Sequence, residues 1–123
     1  NLINKLQPKR VVSPVDEVQF ETAWKNGVWH CYKALSFDLD TPEGIRDKAA
    51  RWSGHMTGLS KSDEEIRPYF IVGAPSHQEL ARDYSRAVDL LRASAMNPVV
   101  YEESQSREMA DLISGQIERH SEQ

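Results

Sequence analysis

Val18-Gln19-Phe20-Glu21-Thr22-Ala23-Trp24-Lys25-Asn26-Gly27-Val28-Trp29-His30-Cys31-Tyr32-Lys33-Ala34-Leu35 sets the architecture of this chain. Two runs rich in β-branched and aromatic residues flank Asn26-Gly27. Asn and Gly tolerate the positive φ angles of a type I′ turn, so the pattern predicts a hairpin closed by two residues. With that turn Lys25 faces Val28, and every later pair follows. Trp24 lies opposite Trp29, Thr22 opposite Cys31, Phe20 opposite Lys33 and Val18 opposite Leu35, all on one face, the expected core face. The other face, with Gln19, Glu21, Ala23, Lys25, His30, Tyr32 and Ala34, is the more polar one.

Downstream, Thr41-Pro42-Glu43 supplies an N-cap, a first-turn proline and a first-turn acid. Ile45, Ala49, Trp52, Met56 and Leu59 then recur at spacings of four, three, four and three residues, one apolar helical stripe, with Gly58 as its terminator. Residues 69–72 form a short apolar run closed by Gly73-Ala74-Pro75, read as a buried strand. Ser76 and Glu79 make a capping-box pattern that opens a second helix through Leu80, Tyr84, Ala87, Val88 and Leu91. Asn97-Pro98 precedes a further strand at residues 99–102. A third helix is expected from about Ser106, with Met109, Leu112, Ile113 and Ile117 inward. The expected fold is α/β with element order ββαβαβα: a mixed sheet led by an antiparallel hairpin, with three helices packed on it and right-handed crossovers between parallel strands. Residues 1–13 read as an N-terminal segment or linker from a longer chain, since Asn1 is no initiator. Residues 14–123 read as a single domain.

Composition narrows the function classes. A chain of 123 residues is one domain of ordinary size and forms a core without disulfides or a structural metal. Cys31 is the only cysteine, so an intrachain disulfide and a multi-cysteine zinc site are both excluded, and a cytoplasmic setting is expected. No apolar run approaches the ~18 residues needed to cross a bilayer, so no membrane partner is expected. A net charge of −4 argues against a nonspecific nucleic-acid surface. His30 and Cys31 are neighbours on a strand and point to opposite faces, so they cannot share an ion. No metal and no cofactor is predicted.

Two constellations carry candidate chemistry. Asp38-Leu39-Asp40-Thr41 after an apolar strand resembles the nucleophile motif of haloacid-dehalogenase-like phosphatases, which implies Asp38 as the attacking group. The threonine sits one place too close to Asp40, and the preceding element is a hairpin, so the structural reading is a solvated Asp38 before a helix start. Pro14-Val15-Asp16 and Cys31-Tyr32-Lys33 lie in the order of the PD-(D/E)XK nuclease motif, and residues 14–102 resemble a degenerate core of that restriction-endonuclease-like fold. The resemblance implies Asp16 and Lys33 around a divalent metal. Cys31, however, stands where an oxygen ligand belongs. The hairpin register also puts Asp16 ~13 Å along the strand from Phe20, the residue facing Lys33, and turns Glu21 to the other face.

Lys33 amid apolar residues needs an account, because a buried ammonium is costly unless paired. Its stem can cover Phe20 while its amine reaches an acid from the first helix or the N-terminal segment. Gly73 and Ser76, after a strand and before a helix, are a candidate anion site. Arg46, Lys48 and Arg51, with Arg82, Arg86 and Arg92 on the second helix, form a candidate basic patch, though Asp47, Asp83 and Asp89 are interleaved. The expectation is a noncatalytic partner-binding, dimerisation or regulatory domain of a larger bacterial-type protein, with a protein partner or a second copy. The alternatives are a metal-dependent nuclease or nucleic-acid-binding domain, then a phosphatase using Asp38.

Overall fold

The structure, a computed structural model, describes residues 5–103. Five strands form one mixed sheet, side by side in their chain order: β1 (Gln7–Val12), β2 (Glu17–Asn26), β3 (Val28–Ser36), β4 (Ile66–Gly73) and β5 (Val99–Glu102). β1, β2 and β3 pair antiparallel, whereas β3, β4 and β5 run parallel. The parallel crossovers pass through α1 (Pro42–Leu59) and through α2 (Ala81–Arg92), the latter preceded by a 3-10 turn over Gln78–Leu80. The hairpin-led mixed sheet is therefore present, with β1 added ahead of the hairpin. Two helices lie among the described residues; the third, expected from about Ser106, lies outside them.

Local chemistry explains most boundaries. The Thr41 hydroxyl accepts from the Gly44 N–H at 3.0 Å, Pro42 opens α1 and Glu43 sits in its first turn, as anticipated. Every member of the predicted stripe, Ile45, Ala49, Trp52, Met56 and Leu59, is buried. The same holds for Leu80, Tyr84, Ala87, Val88 and Leu91 of the second. Two end signals work differently. Gly58 does not terminate α1, which runs on to Leu59; it is a close-approach site, because a Cβ there would lie 2.7 Å from the Asp16 Cβ. Ser76 does not cap the second helix, because its hydroxyl and N–H both go to Asp38.

Both helices pack on one face of the sheet. Their buried residues share a core with Val11, Val18, Phe20, Ala23, Cys31, Leu35, Phe70, Val72 and Val100. Val11 is completely buried there. Strand order explains the one-sidedness: right-handed crossovers are the rule for parallel strands, and each crossover here advances one strand in the same direction, so both helices fall on the same side. The other face carries a separate cluster of Trp24, Tyr32 and Tyr69, joined by Leu6, Ile71, Val99 and Tyr101; no residue of α1 or α2 belongs to it.

The hairpin register differs from the expected one. Asn26 pairs with Val28, leaving Gly27 between them at φ +80°, so Trp24 faces His30 and Ala23 faces Cys31. The Asn26 side chain is drawn into a hydrogen bond with His30, which favours this tighter closure over the two-residue turn. A second irregularity compounds the first. Gln7 and Lys9, two residues apart on β1, pair with Ala23 and Phe20, three apart on β2, so β2 carries one extra residue. Val18 and Phe20 keep the predicted core face, but beyond the bulge Ala23 takes it and Trp24 moves to the opposite face.

The two glycines of α1 give an internal contrast. Gly54 is exposed with open space where a Cβ would go, so Gly54→Ala is expected to stabilise by about 0.5–1 kcal/mol through helix propensity. Gly58→Ala is expected to destabilise by about 1–3 kcal/mol, because Asp16 must give way. Urea unfolding of the two variants should show shifts of opposite sign.

Candidate functional site

Lys33 sits on the helix-bearing face, and its amine meets Glu21 at 3.3 Å and lies 5.3 Å from the centre of the Trp52 ring. The β2 bulge brings Glu21 into reach. An unbroken alternation would have turned it away, and neither α1 nor the N-terminal segment supplies the acid that the sequence suggested. A backbone hydrogen bond first, then the Lys33 ammonium, hold the Glu21 carboxyl below its ordinary range. The Lys33 stem lies under cover while its amine reaches a solvated carboxylate, although β3 is the central strand of the sheet.

Asp16 follows β1 and takes a different partner. Its Oδ2 lies 2.7 Å from Nδ1 of His55 on α1, and its Oδ1 accepts from the Glu17 N–H at 2.7 Å. The His55 ring packs on Trp52 at 4.9 Å between centroids, so Asp16, His55, Trp52, Lys33 and Glu21 follow one another across this side of the domain. They do not converge on one point. Among the described residues no three His, Cys, Asp or Glu side chains are grouped as a metal ion requires. Cys31 is wholly buried, and burial pushes its thiol up to about 12, which suits core packing rather than nucleophilic or metal chemistry.

At the carboxyl ends of β3 and β4, Asp38 accepts from the Ser76 N–H at 2.9 Å and from the Ser76 hydroxyl at 2.8 Å. These two bonds hold its carboxyl below the ordinary value. The candidate nucleophile and the candidate anion site thus resolve into one contact: the anion on the Ser76 N–H is the carboxylate of Asp38. Asp40 and Glu79 each stand 3.8 Å from a ring nitrogen of His77, at the solvent boundary. Of the basic stripe, Lys48 donates to the Ser36 carbonyl at 2.6 Å, Arg46 pairs with Glu43 at 3.6 Å, and Arg92 donates to the Val100 carbonyl at 3.1 Å. Three of these cations are engaged inside the domain, so the stripe is not a row of free charges.

The second sheet face holds Trp24, which the sequence reading placed on the core face, beside His30 and Tyr32, which it placed here. Trp24 stacks on His30 with centroids 4.8 Å apart, Tyr32 stacks on Tyr69 at 4.6 Å, and the Trp24 indole N–H donates to the Tyr32 hydroxyl at 2.8 Å. His30 uses both nitrogens. Nε2 donates to the Asn26 Oδ1 at 2.9 Å and Nδ1 lies 2.8 Å from the Tyr69 hydroxyl, so the neutral ring is the Nε2–H tautomer, with Nδ1 accepting from that hydroxyl. Burial, then the nearby Arg67 charge, push its pKa down from 6.5. The available signal was the alternation Tyr69, Ile71 on one face of β4 against Phe70, Val72 on the other, the mark of a strand covered on both sides.

Because folding holds His30 neutral, the unfolded chain binds more protons than the folded one below its ordinary value of 6.5. Stability is therefore complete above that pH and declines as pH falls through it toward the depressed folded value. Urea midpoints followed from neutral pH to about pH 5 should fall for the wild-type chain and fall less steeply for His30→Gln. Among known proteins the chain has no match, either to a protein-family model or to a curated protein.

Proposed function

We propose that this chain is a noncatalytic protein-docking domain that works through the second face of its sheet. The observation that carries the reading is the aromatic and aliphatic cluster of Trp24, Tyr32, Tyr69, Ile71, Val99 and Tyr101, on a face to which neither α1 nor α2 contributes. Its aromatic content is typical of the centre of a protein interface, and Ile71, Val99 and Tyr101, half-buried around the buried Trp24, Tyr32 and Tyr69, are its accessible part. Among the described residues the large exposed apolar residues are Val12, Val15 and Leu90, too scattered to form an apolar surface of their own.

The reactive candidates support the same reading from the other side. Asp16 is engaged by His55, Lys33 by Glu21, and Asp38 by Ser76, each in a separate place. A two-carboxylate metal site around Lys33, as the nuclease alternative needs, has no second acid beyond Glu21 in contact with the amine among the described residues. Descent from a nuclease-like ancestor with its site lost fits the hairpin, helix and strand order and belongs to this proposal. No described helix is long and apolar enough to cross a membrane, and a protein partner is the kind of occupant the face suits.

Two measurements test the reading. With magnesium or manganese, the chain should cleave neither DNA nor RNA, and it should not hydrolyse a phosphomonoester. Cleavage lost in Lys33→Ala, or phosphatase activity lost in Asp38→Asn, would overturn it. Affinity capture with the wild-type chain, Ile71→Asp and Leu90→Asp, each verified as folded, should recover a partner that is lost in Ile71→Asp and kept in Leu90→Asp.

A further inference from the structure

The accessible part of the second sheet face carries a charge at each end. Along β4 the residues on that face are Arg67, Tyr69, Ile71 and Gly73. Arg67 opens the row, exposed, opposite His30 on β3 and with its guanidinium near Tyr69. At the far end, the exposed Glu103 puts a carboxylate oxygen 2.9 Å from the place a Cβ would occupy on Gly73, so this anion stands on the same face. Arg67 and Gly73 are six positions apart, ~20 Å along the strand. Among the described residues no carboxylate pairs with Arg67, and no cation pairs with Glu103.

Between the two charges the surface is apolar. Val72 pairs with Glu102, so Glu103 stands level with Gly73, one strand over. The point halfway from Arg67 to Glu103 therefore falls between β4 and β5, within the quartet made by the pairs Tyr69–Val99 and Ile71–Tyr101. Tyr69 is the buried floor of that quartet, and Ile71, Val99 and Tyr101 are half-buried around it. Beside them Ala34 and Ser36 on β3 are exposed, and a groove of about 280 Å³ runs over Ala34, Ser36, Ile71 and Gly73 to Glu103. A surface with a cation at one end, an anion at the other and apolar side chains about the midpoint is complementary to itself. A two-fold axis lying between two such faces, crossing the strands over the quartet, sets each Arg67 against the other copy's Glu103 and one apolar centre on the other. Sheets packed face to face are ~10 Å apart, a gap that arginine and glutamate side chains bridge.

We propose that this chain forms a two-fold dimer through the accessible part of its second sheet face, with Arg67 of each copy paired to Glu103 of the other around a centre of Ile71, Val99 and Tyr101. The occupant of the docking face is a second copy of this chain, an assignment that rests on the docking reading above and deepens it. Three half-buried apolar side chains from each copy make a small interface, so the dimer is reversible. Its ion pairs lie at the solvent boundary, so it weakens as salt rises.

Sedimentation equilibrium of the full chain at micromolar to millimolar concentration should show a monomer–dimer equilibrium, lost in Ile71→Asp. Arg67→Glu and Glu103→Arg, each verified as folded, bring like charges together and should each raise the dissociation constant about tenfold or more. Mixing these two variants in equal amounts should restore dimerisation, because in the mixed dimer both crossing pairs again join opposite charges. The double variant Arg67→Glu with Glu103→Arg should dimerise as the wild-type chain does. A wild-type chain that stays monomeric throughout, or a dimer whose strength ignores the charge exchanges, overturns the proposal. A monomer whose captured partner is lost in Ile71→Asp removes the second copy and leaves the docking face. A dimer and a captured partner both indifferent to Ile71→Asp remove the two together.

Discussion

Two parallel crossovers that advance in the same direction constrain everything else in this domain. Because β3, β4 and β5 succeed one another without a reversal, α1 and α2 must lie side by side on one face, where they bury a single aliphatic core. The same monotonic order removes the crevice that forms in open α/β sheets where neighbouring crossovers diverge to opposite faces. The carboxyl ends of the strands are accordingly closed by a local contact, Asp38 to Ser76, instead of being held open for a ligand. The opposite face is left to a separate aromatic layer, and the docking proposal begins there.

One extra residue in β2 decides which side chains belong to which layer. On either side of the bulge the strand alternates normally, but parity changes across it, so Phe20 and Ala23 share the helix-bearing face while Trp24 joins Tyr32 and Tyr69. The exchange suits the volumes involved. Ala23 occupies a site beneath the helices, and Trp24 gains a hydroxyl acceptor in Tyr32 for its indole N–H. It also resolves the lysine problem, since Glu21 arrives beside Lys33 and the ammonium is not left among apolar groups.

Three residues that could have signalled chemistry have local assignments. Asp16 bonds His55 across the close approach to Gly58, Lys33 bonds Glu21 over Trp52, and Asp38 replaces an external anion at Ser76. Each contact joins a strand or strand-end loop to a neighbouring element. Their common property is cross-bracing, and His30 extends it on the other face by joining Asn26 to Tyr69 with both ring nitrogens.

Sequence by itself determined the elements whose signals are short-range. The Thr41 cap, the stripes of α1 and α2, the buried run in β4 and the strand at residues 99–102 all follow from neighbours within a few positions, where dihedral preference and periodicity act directly. Tertiary structure decided the strand at Gln7–Val12, the closure around Gly27, the bulge in β2 and the partners of Asp16, Lys33 and Asp38. Those depend on residues far apart in the chain. Strand pairing has a period of two, so a displacement of one residue exchanges faces without altering any local propensity. Local propensity in the run from Val18 to Leu35 suits either register; the pairing with β1 and the Asn26–His30 bond select one.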